Sequence, residues 1–206
     1  MQPHGQASRA AAARAELVLA SASPRRKELL ERLGLEFRTV PAEIDERPIA
    51  EGIRDPVRLV KALAEAKARA VARAHPEALV IGADTVVVLD GDILGKPSDE
   101  SEACEMLSRL SGRTHHVYTG VAVVDGTSGR SQACAEVTAV TFGRLTEDLI
   151  DRYVRTGEPL DKAGAYGIQG LGATLVERVE GCYFNVVGLP LFRLARLLEA
   201  FGHPVL

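Results

Sequence analysis

The chain carries the stretch ELVLASASPRRKELLERLG at residues 16–34, and this stretch decides the fold class. Its first five residues are mostly apolar and predict a buried strand. Ser23 is a preferred N-cap residue and Pro24 suits the first position of a helix, so a helix is predicted to follow directly. A strand that leads into a helix is the repeating unit of an α/β protein.

The same alternation continues along the chain. Helices are predicted after Asp55-Pro56 and at 99–110, 146–157 and 190–201. Strands are predicted at 37–40, 78–81, 85–89, 116–124, 133–142 and 173–179, with a break at 82–84 and loops at 41–54 and 158–172. Because Asp90-Gly91 and other short turns indicate hairpins, we expect a mixed sheet rather than a purely parallel one.

Length and charge exclude several classes of protein. The 206 residues include 25 Lys and Arg against 28 Asp and Glu, a net charge of −3 that disfavours nucleic-acid binding through bulk positive charge. No apolar run reaches the roughly 18 residues of a membrane span, so no membrane partner is expected. Cys104, Cys134 and Cys182 are far apart, which is typical of a reducing, cytoplasmic compartment. Residues 1–15 are expected to be a disordered extension, and residues 16–206 a single domain.

The junction between the first strand and the first helix is a candidate anion site. Backbone N–H groups and the positive end of a helix point at such a junction. Ser21 and Ser23 add hydroxyl groups, while Arg25 and Arg26 add guanidinium groups that match phosphate geometry. The alternative is that the two arginines are solvated surface residues. Two positive charges at a helix N-terminus favour the anion site.

Asp84 lies between apolar strand segments, where a carboxylate is costly to bury unless it is paired or bound to a metal. It is therefore a candidate metal ligand or general base; alternatively, it accepts backbone hydrogen bonds in a turn. Glu46 next to Asp45 is either loop charge or part of a Mg²⁺ site. Lys96 supplies one more cation after the predicted hairpin.

The glycine-rich stretch DKAGAYGIQGLG at residues 161–172 is the third candidate. Its glycines let the backbone approach a ligand closely. Tyr166 and Gln169 could stack on a base and hydrogen-bond it, respectively. The alternative is a flexible surface loop, for which Tyr and Ile would be unusual residues.

Taken together, these segments resemble the Maf family of nucleoside triphosphate pyrophosphatases over most of the chain. The signatures are LASASPRRKELL at 19–30, GADTVV at 82–87, LGKP at 94–97, SGRTHHVYTG at 111–120 and KAGAYGIQG at 162–170. The resemblance implies an elongated α/β fold with flanking helices, like that of inosine triphosphate pyrophosphatases, with two lobes around a cleft. It also implies hydrolysis of a nucleoside triphosphate to the monophosphate and pyrophosphate with a divalent cation such as Mg²⁺ or Mn²⁺.

The resemblance also implies a role for individual residues. Asp84 would be the proton acceptor, and it would hold the metal together with Glu46. The residues around the phosphates would be Ser21, Ser23, Arg26, Lys67 and Lys96. The residues that set specificity would be Arg25, Thr85 and Gln169.

Two alternatives to the main hypothesis stay open. The form of the 162–170 loop is similar to that of the branch acting on dTTP and UTP, whereas a sister branch acts on 7-methyl-GTP. The family is also linked to septum formation, so a non-enzymatic nucleotide-binding regulator of cell division is the second alternative. A homodimer is implied only at the level of the family.

Overall fold

A computed structural model describes residues 15–206. Its strands are β1 (Glu16–Ala20), β2 (Phe37–Thr39), β3 (Ala78–Leu89), β4 (Asp92–Leu94), β5 (Thr114–Asp125), β6 (Ser131–Phe142) and β7 (Val176–Glu180). Its α-helices are α1 (Pro24–Arg32), α2 (Arg47–Ala50), α3 (Pro56–Ala72), α4 (Glu100–Leu110), α5 (Glu147–Val154), α6 (Tyr183–Val187) and α7 (Leu191–Ala200). Short 3-10 helices lie at Glu158–Asp161, Ala163–Ala165 and Gly170–Leu175.

Within the described residues the seven strands form one mixed sheet, as predicted. The strand order is β2-β1-β3-β5-β6-β7, and β4 pairs with the far end of β3. The strands β2, β1 and β3 are parallel, whereas β4, β5, β6 and β7 pair antiparallel with their neighbours. The α/β fold with a mixed sheet and flanking helices is therefore confirmed.

Helices cover both faces of this sheet. On one face α3 packs Ala64 and Ala68 against buried residues of β1, β3 and β5. On the other face α1 and α7 share a buried cluster with the N-terminal half of β3 and the C-terminal half of β5, and this cluster includes Leu194, Ile81 and Val121. The helices α4 and α5 share a second cluster with the C-terminal half of β3 and the N-terminal half of β5.

The edge of β3 is open between two neighbours. The parallel strand β1 pairs with β3 only as far as Gly82, and the antiparallel strand β4 pairs with it only from Val87 onward. No strand within residues 15–206 therefore lies beside the intervening residues, which include Asp84 and Thr85, on this edge. Because successive side chains of a strand point to opposite faces, the gap gives a ligand access to groups from both sides of the sheet.

The predicted break at residues 82–84 is wrong, because β3 runs through it without interruption. A Cβ atom on Gly82 would collide with the backbone oxygen of Ala64, and one on Gly120 would collide with that of Val60. These glycines therefore let α3 approach the sheet closely rather than turn the chain.

Other predicted boundaries also need correction. The predicted loop 41–54 contains α2, and the predicted loop 158–172 contains 3-10 turns. The last strand begins at Val176 rather than at 173, because Gly170–Leu175 is a 3-10 helix. The short helix α6 was not predicted, since tertiary hydrogen bonds from Asn185 to Val117 and Thr138 hold it in place.

Several predictions concern the chain as a whole. The Asp90-Gly91 turn is confirmed, with a positive φ at both residues. The three cysteines are free thiols. None of the helices within residues 15–206 has the length and apolar character needed to cross a bilayer. Most of the predicted extension, residues 1–14, lies outside the described residues.

Candidate active site

A cleft of about 630 Å³ opens at the gap in the sheet edge. This volume lies within the roughly 300–1,000 Å³ that is usual for small-molecule sites. The candidate site residues from the sequence all line it: Ser21, Ser23, Arg25, Arg26, Glu46, Lys67, Asp84, Thr85, Lys96 and Gln169. The structure thus brings together residues that are up to 148 positions apart in the chain.

Arg26 projects from the first turn of α1 into the cleft and is held by neutral acceptors. Its guanidinium donates to the backbone oxygen of Gly188 at 2.8 Å, to Thr85 Oγ1 at 3.1 Å and to Ser21 Oγ at 3.4 Å. Desolvation lowers the pKa of Arg26, and the charge of Asp84 opposes this effect. An arginine stays protonated even so. The cleft therefore holds a fixed positive charge that makes no ion pair within residues 15–206.

Ser23 occupies the N-cap position of α1, as predicted, but its side chain makes no capping hydrogen bond. Ser23 lines the cleft, and its backbone N–H donates to Ser21 Oγ at 3.1 Å. The N-terminus of α1 is consequently left without a side-chain cap at the point where an anion would bind.

Arg25 lines the cleft and pairs with an acidic residue. Its Nη1 lies 3.2 Å from Oδ2 of Asp161, the first residue of the glycine-rich stretch. Lys162 Nζ contacts the other carboxylate oxygen of Asp161 at 2.6 Å. The positive charge of Arg25 is thus shared with a carboxylate, unlike that of Arg26.

Asp84 is paired with Lys67, which α3 brings across the face of β3. Lys67 Nζ lies 2.6 Å from Asp84 Oδ1 and 2.8 Å from Glu46 Oε1. The side chains of Lys67 and Asp84 are only 14% and 11% exposed. Asp84 is therefore not the turn residue of the alternative interpretation.

Thr85 lies next to Asp84 but points to the other face of the sheet. Its hydroxyl accepts from Arg26 and lies 2.9 Å from Thr119 Oγ1. Thr119 in turn donates to the backbone oxygen of Asn185 at 2.9 Å. This chain of hydrogen bonds ties β3, β5 and α6 together behind the guanidinium group.

Gln169 lines the cleft from the glycine-rich stretch, immediately before a 3-10 turn that its side chain does not cap. The preceding Tyr166 is buried, and its hydroxyl lies 2.8 Å from His115 Nε2 on β5. Burial of the ring, followed by the charge of His116, lowers the pKa of His115 to about 4. The loop is therefore anchored in the core rather than flexible on the surface.

The sequence analysis did not single out Asp161, Thr119 or Gly188, which hold the candidate side chains in place. Asp161 and Thr119 stand inside the quoted glycine-rich and SGRTHHVYTG stretches, so their positions carried a signal. Gly188 contributes only a backbone oxygen, which a sequence pattern cannot reveal.

The donor set at Asp84 and Glu46 fits a hard divalent cation. The two carboxylates already share one cationic group, the ammonium of Lys67. Within residues 15–206, no cluster of three or more His, Cys, Asp or Glu side chains could hold a metal alone. Mg²⁺ usually binds through one or two carboxylates together with substrate phosphates, which matches a two-carboxylate site.

The fold and the cleft define an α/β protein with a small-molecule site that combines fixed positive charge with a carboxylate pair. The family profile described as Maf-like protein matches residues 16–201, and the chain therefore belongs to the Maf family.

Two relatives of this chain carry the same name. A protein named dTTP/UTP pyrophosphatase from Moorella thermoacetica is 59% identical over 91% of this chain and 95% of its own length. Another of the same name, from Pelotomaculum thermopropionicum, is 56% identical over 93% and 99%. Among solved structures, a HAM1 protein from Coxiella burnetii matches at 18% identity and a TM-score of 0.46, over 63% of this chain and 74% of that one.

Proposed function

We propose that this chain is a nucleoside triphosphate pyrophosphatase that hydrolyses dTTP and UTP to the monophosphate and pyrophosphate. The observation that carries the proposal is the placement of the Asp84–Lys67 pair and the Arg26 guanidinium in one cleft. Membership of the Maf family and relatives named dTTP/UTP pyrophosphatase support the substrate class.

The triphosphate is bound by the segment that leads into α1, by the first turn of this helix and by Lys96. Ser21 and Ser23 offer hydroxyl donors, while Arg26 and Lys96 offer positive charge. Phosphoryl transfer requires positioning and neutralisation of charge more than covalent chemistry. A guanidinium whose present acceptors are all neutral is suited to that task, because an arriving phosphate replaces no existing ion pair.

Asp84 is the proposed proton acceptor. A water molecule attacks the α-phosphorus, the bond from this phosphorus to the oxygen that bridges to the β-phosphate breaks, and pyrophosphate leaves. The proton of the water passes to the carboxylate of Asp84. Lys67 already donates to Oδ1 of that carboxylate at 2.6 Å, which fixes its orientation. General bases positioned in this way contribute about 10²–10⁴ in rate.

Glu46 and Asp84 are the proposed holders of a divalent cation, Mg²⁺ or Mn²⁺. When bound there, such a cation supplies positive charge to the phosphates and lowers the pKa of water. Lys67 contacts both carboxylates, so its ammonium would lie beside the cation and add positive charge for the phosphates.

Base selection is assigned to Gln169, Thr85 and Arg25, which line the same cleft. A uracil or thymine ring presents two carbonyl acceptors on either side of an N3–H donor. The side-chain amide of Gln169 offers both a donor and an acceptor to that edge. Arg25 can donate to a carbonyl group, and Thr85 adds a hydroxyl.

A panel of nucleotides tests the proposal. Pyrophosphate release is measured with dTTP, UTP, CTP and 7-methyl-GTP in the presence of Mg²⁺. We expect the highest kcat/KM for dTTP and UTP. A preference for 7-methyl-GTP would indicate the sister activity, and binding without turnover of any nucleotide would indicate a regulator.

A cytoplasmic location and a homodimer belong to the same proposal. The location rests on the scattered cysteines, and the dimer rests on the family resemblance alone. Sedimentation of the purified protein would test the dimer.

A further inference from the structure

The segment Gly167–Gly172 presents Gln169 at the end of a tightly closed loop. A Cβ atom on Gly172 would collide with the backbone oxygen of Gly167, so the two arms of the loop lie in direct contact. Gly170, at the turn, has a φ of +68°, a conformation that favours glycine. The position of Gln169 therefore depends on whatever holds the two arms together.

Two side chains outside the cleft hold both arms. The hydroxyl of Tyr153 accepts from the N–H of Gly167 at 3.3 Å and donates to Glu158 Oε1 at 2.9 Å. The carboxylate of Glu158 accepts from the N–H of Gly172 at 3.0 Å and from that of Leu171 at 3.0 Å. We refer to Tyr153 and Glu158 as the loop clamp.

The clamp is electrostatically suited to this role. Desolvation raises the pKa of Glu158, but the hydrogen bonds from Gly172, Leu171 and Tyr153 outweigh it, and the pKa lies below its ordinary value. Desolvation also raises the pKa of Tyr153, so its hydroxyl stays protonated and remains a donor to Glu158. The ring of Tyr153 is only 5% exposed and packs in the core beside α4. The clamp is thus a charged acceptor oriented by a rigid aromatic side chain.

We infer that the loop clamp positions Gln169 for base selection, although neither of its members lines the cleft. This inference rests on the proposed function, in which Gln169 recognises the base. Tyr153 and Glu158 are positioning residues, because they act on the base through the loop. Loosening the clamp should therefore reduce discrimination between bases more than it slows hydrolysis.

The test measures kcat/KM for UTP and for CTP in five proteins: the wild type, Tyr153→Phe, Glu158→Gln, Gln169→Ala and the double variant Tyr153→Phe/Gln169→Ala. Tyr153→Phe keeps the packed ring and removes only the hydroxyl. Tyr183→Phe is the matched control, since Tyr183 is 41% exposed and lies outside the cleft and the clamp.

We expect Tyr153→Phe to lower the UTP-to-CTP ratio of kcat/KM by about two- to tenfold, the net worth of one hydrogen bond. The kcat for UTP should change less than this ratio, and Tyr183→Phe should match the wild type. Glu158→Gln should act in the same direction, because a neutral amide is a weaker acceptor than a carboxylate. In the double variant the ratio should equal that of Gln169→Ala alone, because the clamp acts through Gln169.

Two results would overturn the inference and identify what failed. If Gln169→Ala lowers the ratio but Tyr153→Phe and Glu158→Gln leave it at the wild-type value, the clamp has no part in selection, although the proposed function survives. If Gln169→Ala leaves the ratio unchanged, the assignment of base recognition to Gln169 fails and the inference fails with it.

Hydrogen exchange gives a second readout that does not depend on turnover. The amides of Gly167, Leu171 and Gly172 should exchange faster in Tyr153→Phe than in Tyr183→Phe, while amides of β3 should be unaffected. Equal exchange in the two variants would contradict a clamp that holds the loop.

Discussion

Two regions of the cleft are built from different elements: Asp84 and Lys67, called here the first end, lie on β3 and α3, whereas Gln169, called the second end, lies on a loop between short 3-10 turns. The first end is held by an ion pair between regular elements. The second is held by hydrogen bonds that backbone N–H groups of the loop donate, chiefly to the carboxylate of Glu158. A charged group that is fixed on a sheet can carry out the same chemical step on any nucleoside triphosphate. A residue on a loop can be substituted, and the preferred base changed, without disturbing that step.

Removal of divalent metal should have the largest effect and should act on the first end alone. EDTA is expected to abolish turnover of UTP and CTP alike. The two carboxylates and the triphosphate are all negatively charged, and the cation supplies the positive charge that lets them approach each other. Turnover is measured by pyrophosphate release before and after addition of Mg²⁺ or Mn²⁺. Full activity in metal-free buffer would show that hydrolysis does not require a divalent cation.

Asp84→Asn should lower kcat by about 10² or more, the usual worth of a positioned base. The Tm should stay nearly unchanged, because Lys67 keeps Glu46 as a partner at 2.8 Å. Asp92→Asn is the matched control, since this exposed carboxylate pairs with Arg109 away from the cleft. Steady-state kinetics and thermal unfolding of both variants provide the measurement. An Asn variant that retains full activity would refute the assignment of Asp84 as base.

Gln169→Ala should act on the second end and narrow the preference for UTP over CTP by about 1–3 kcal/mol, the cost of an unsatisfied buried partner. Cytosine reverses the pattern of the uracil edge, because it presents an amine and a bare ring nitrogen. A site that hydrogen-bonds one edge rejects the other for this reason. The quantity to compare is kcat/KM for the two nucleotides, and an unchanged ratio would show that Gln169 does not recognise the base.

Acidic pH should weaken the anchor of the loop. Because burial lowers the pKa of His115 to about 4, the unfolded state takes up a proton more readily than the folded state. The stability contributed by neutral His115 is complete above about pH 6.5 and is lost as the pH falls toward 4. We expect a contribution of about 2 kcal/mol to be lost between pH 7.5 and pH 5.

Urea unfolding at several pH values measures this effect. His115→Gln should flatten the pH dependence of the free energy of unfolding, while His116→Gln, at an exposed neighbouring position, should retain it. An identical slope in all three proteins would show that His115 does not couple stability to pH.

The two ends also differ in how far the sequence predicted them. Asp84 stood out because a carboxylate inside an apolar run demands a partner, and Ser23-Pro24 located the start of α1 correctly. The partner itself, Lys67, did not stand out, since Lys61, Arg69 and other charges share its helix. Only the family resemblance distinguished it, because the register of α3 on the sheet is a tertiary property.

Glycine was the main source of error in the fold. A glycine such as Gly82 usually indicates a break in a strand. Here its lack of a side chain lets α3 pack closely on β3, and this close packing brings Lys67 to Asp84. The sequence showed that the loop carrying Gln169 is rich in glycine, but it did not reveal the loop clamp. Tyr153 and Glu158 accept from backbone N–H groups, which almost every residue has whatever its side chain. A hydrogen bond to a backbone group does not require a particular side chain at that position, so the sequence does not reveal it.

The division of the cleft into a chemical end and a selective end is tested most directly by internal competition. UTP and CTP are mixed at equal concentration, and the ratio of UMP to CMP formed early gives the ratio of kcat/KM for one protein in one tube. We expect the wild type and Asp84→Asn to give the same ratio in favour of UMP at very different rates, and Gln169→Ala to give a ratio closer to one. A changed ratio in Asp84→Asn, or an unchanged one in Gln169→Ala, would contradict the division.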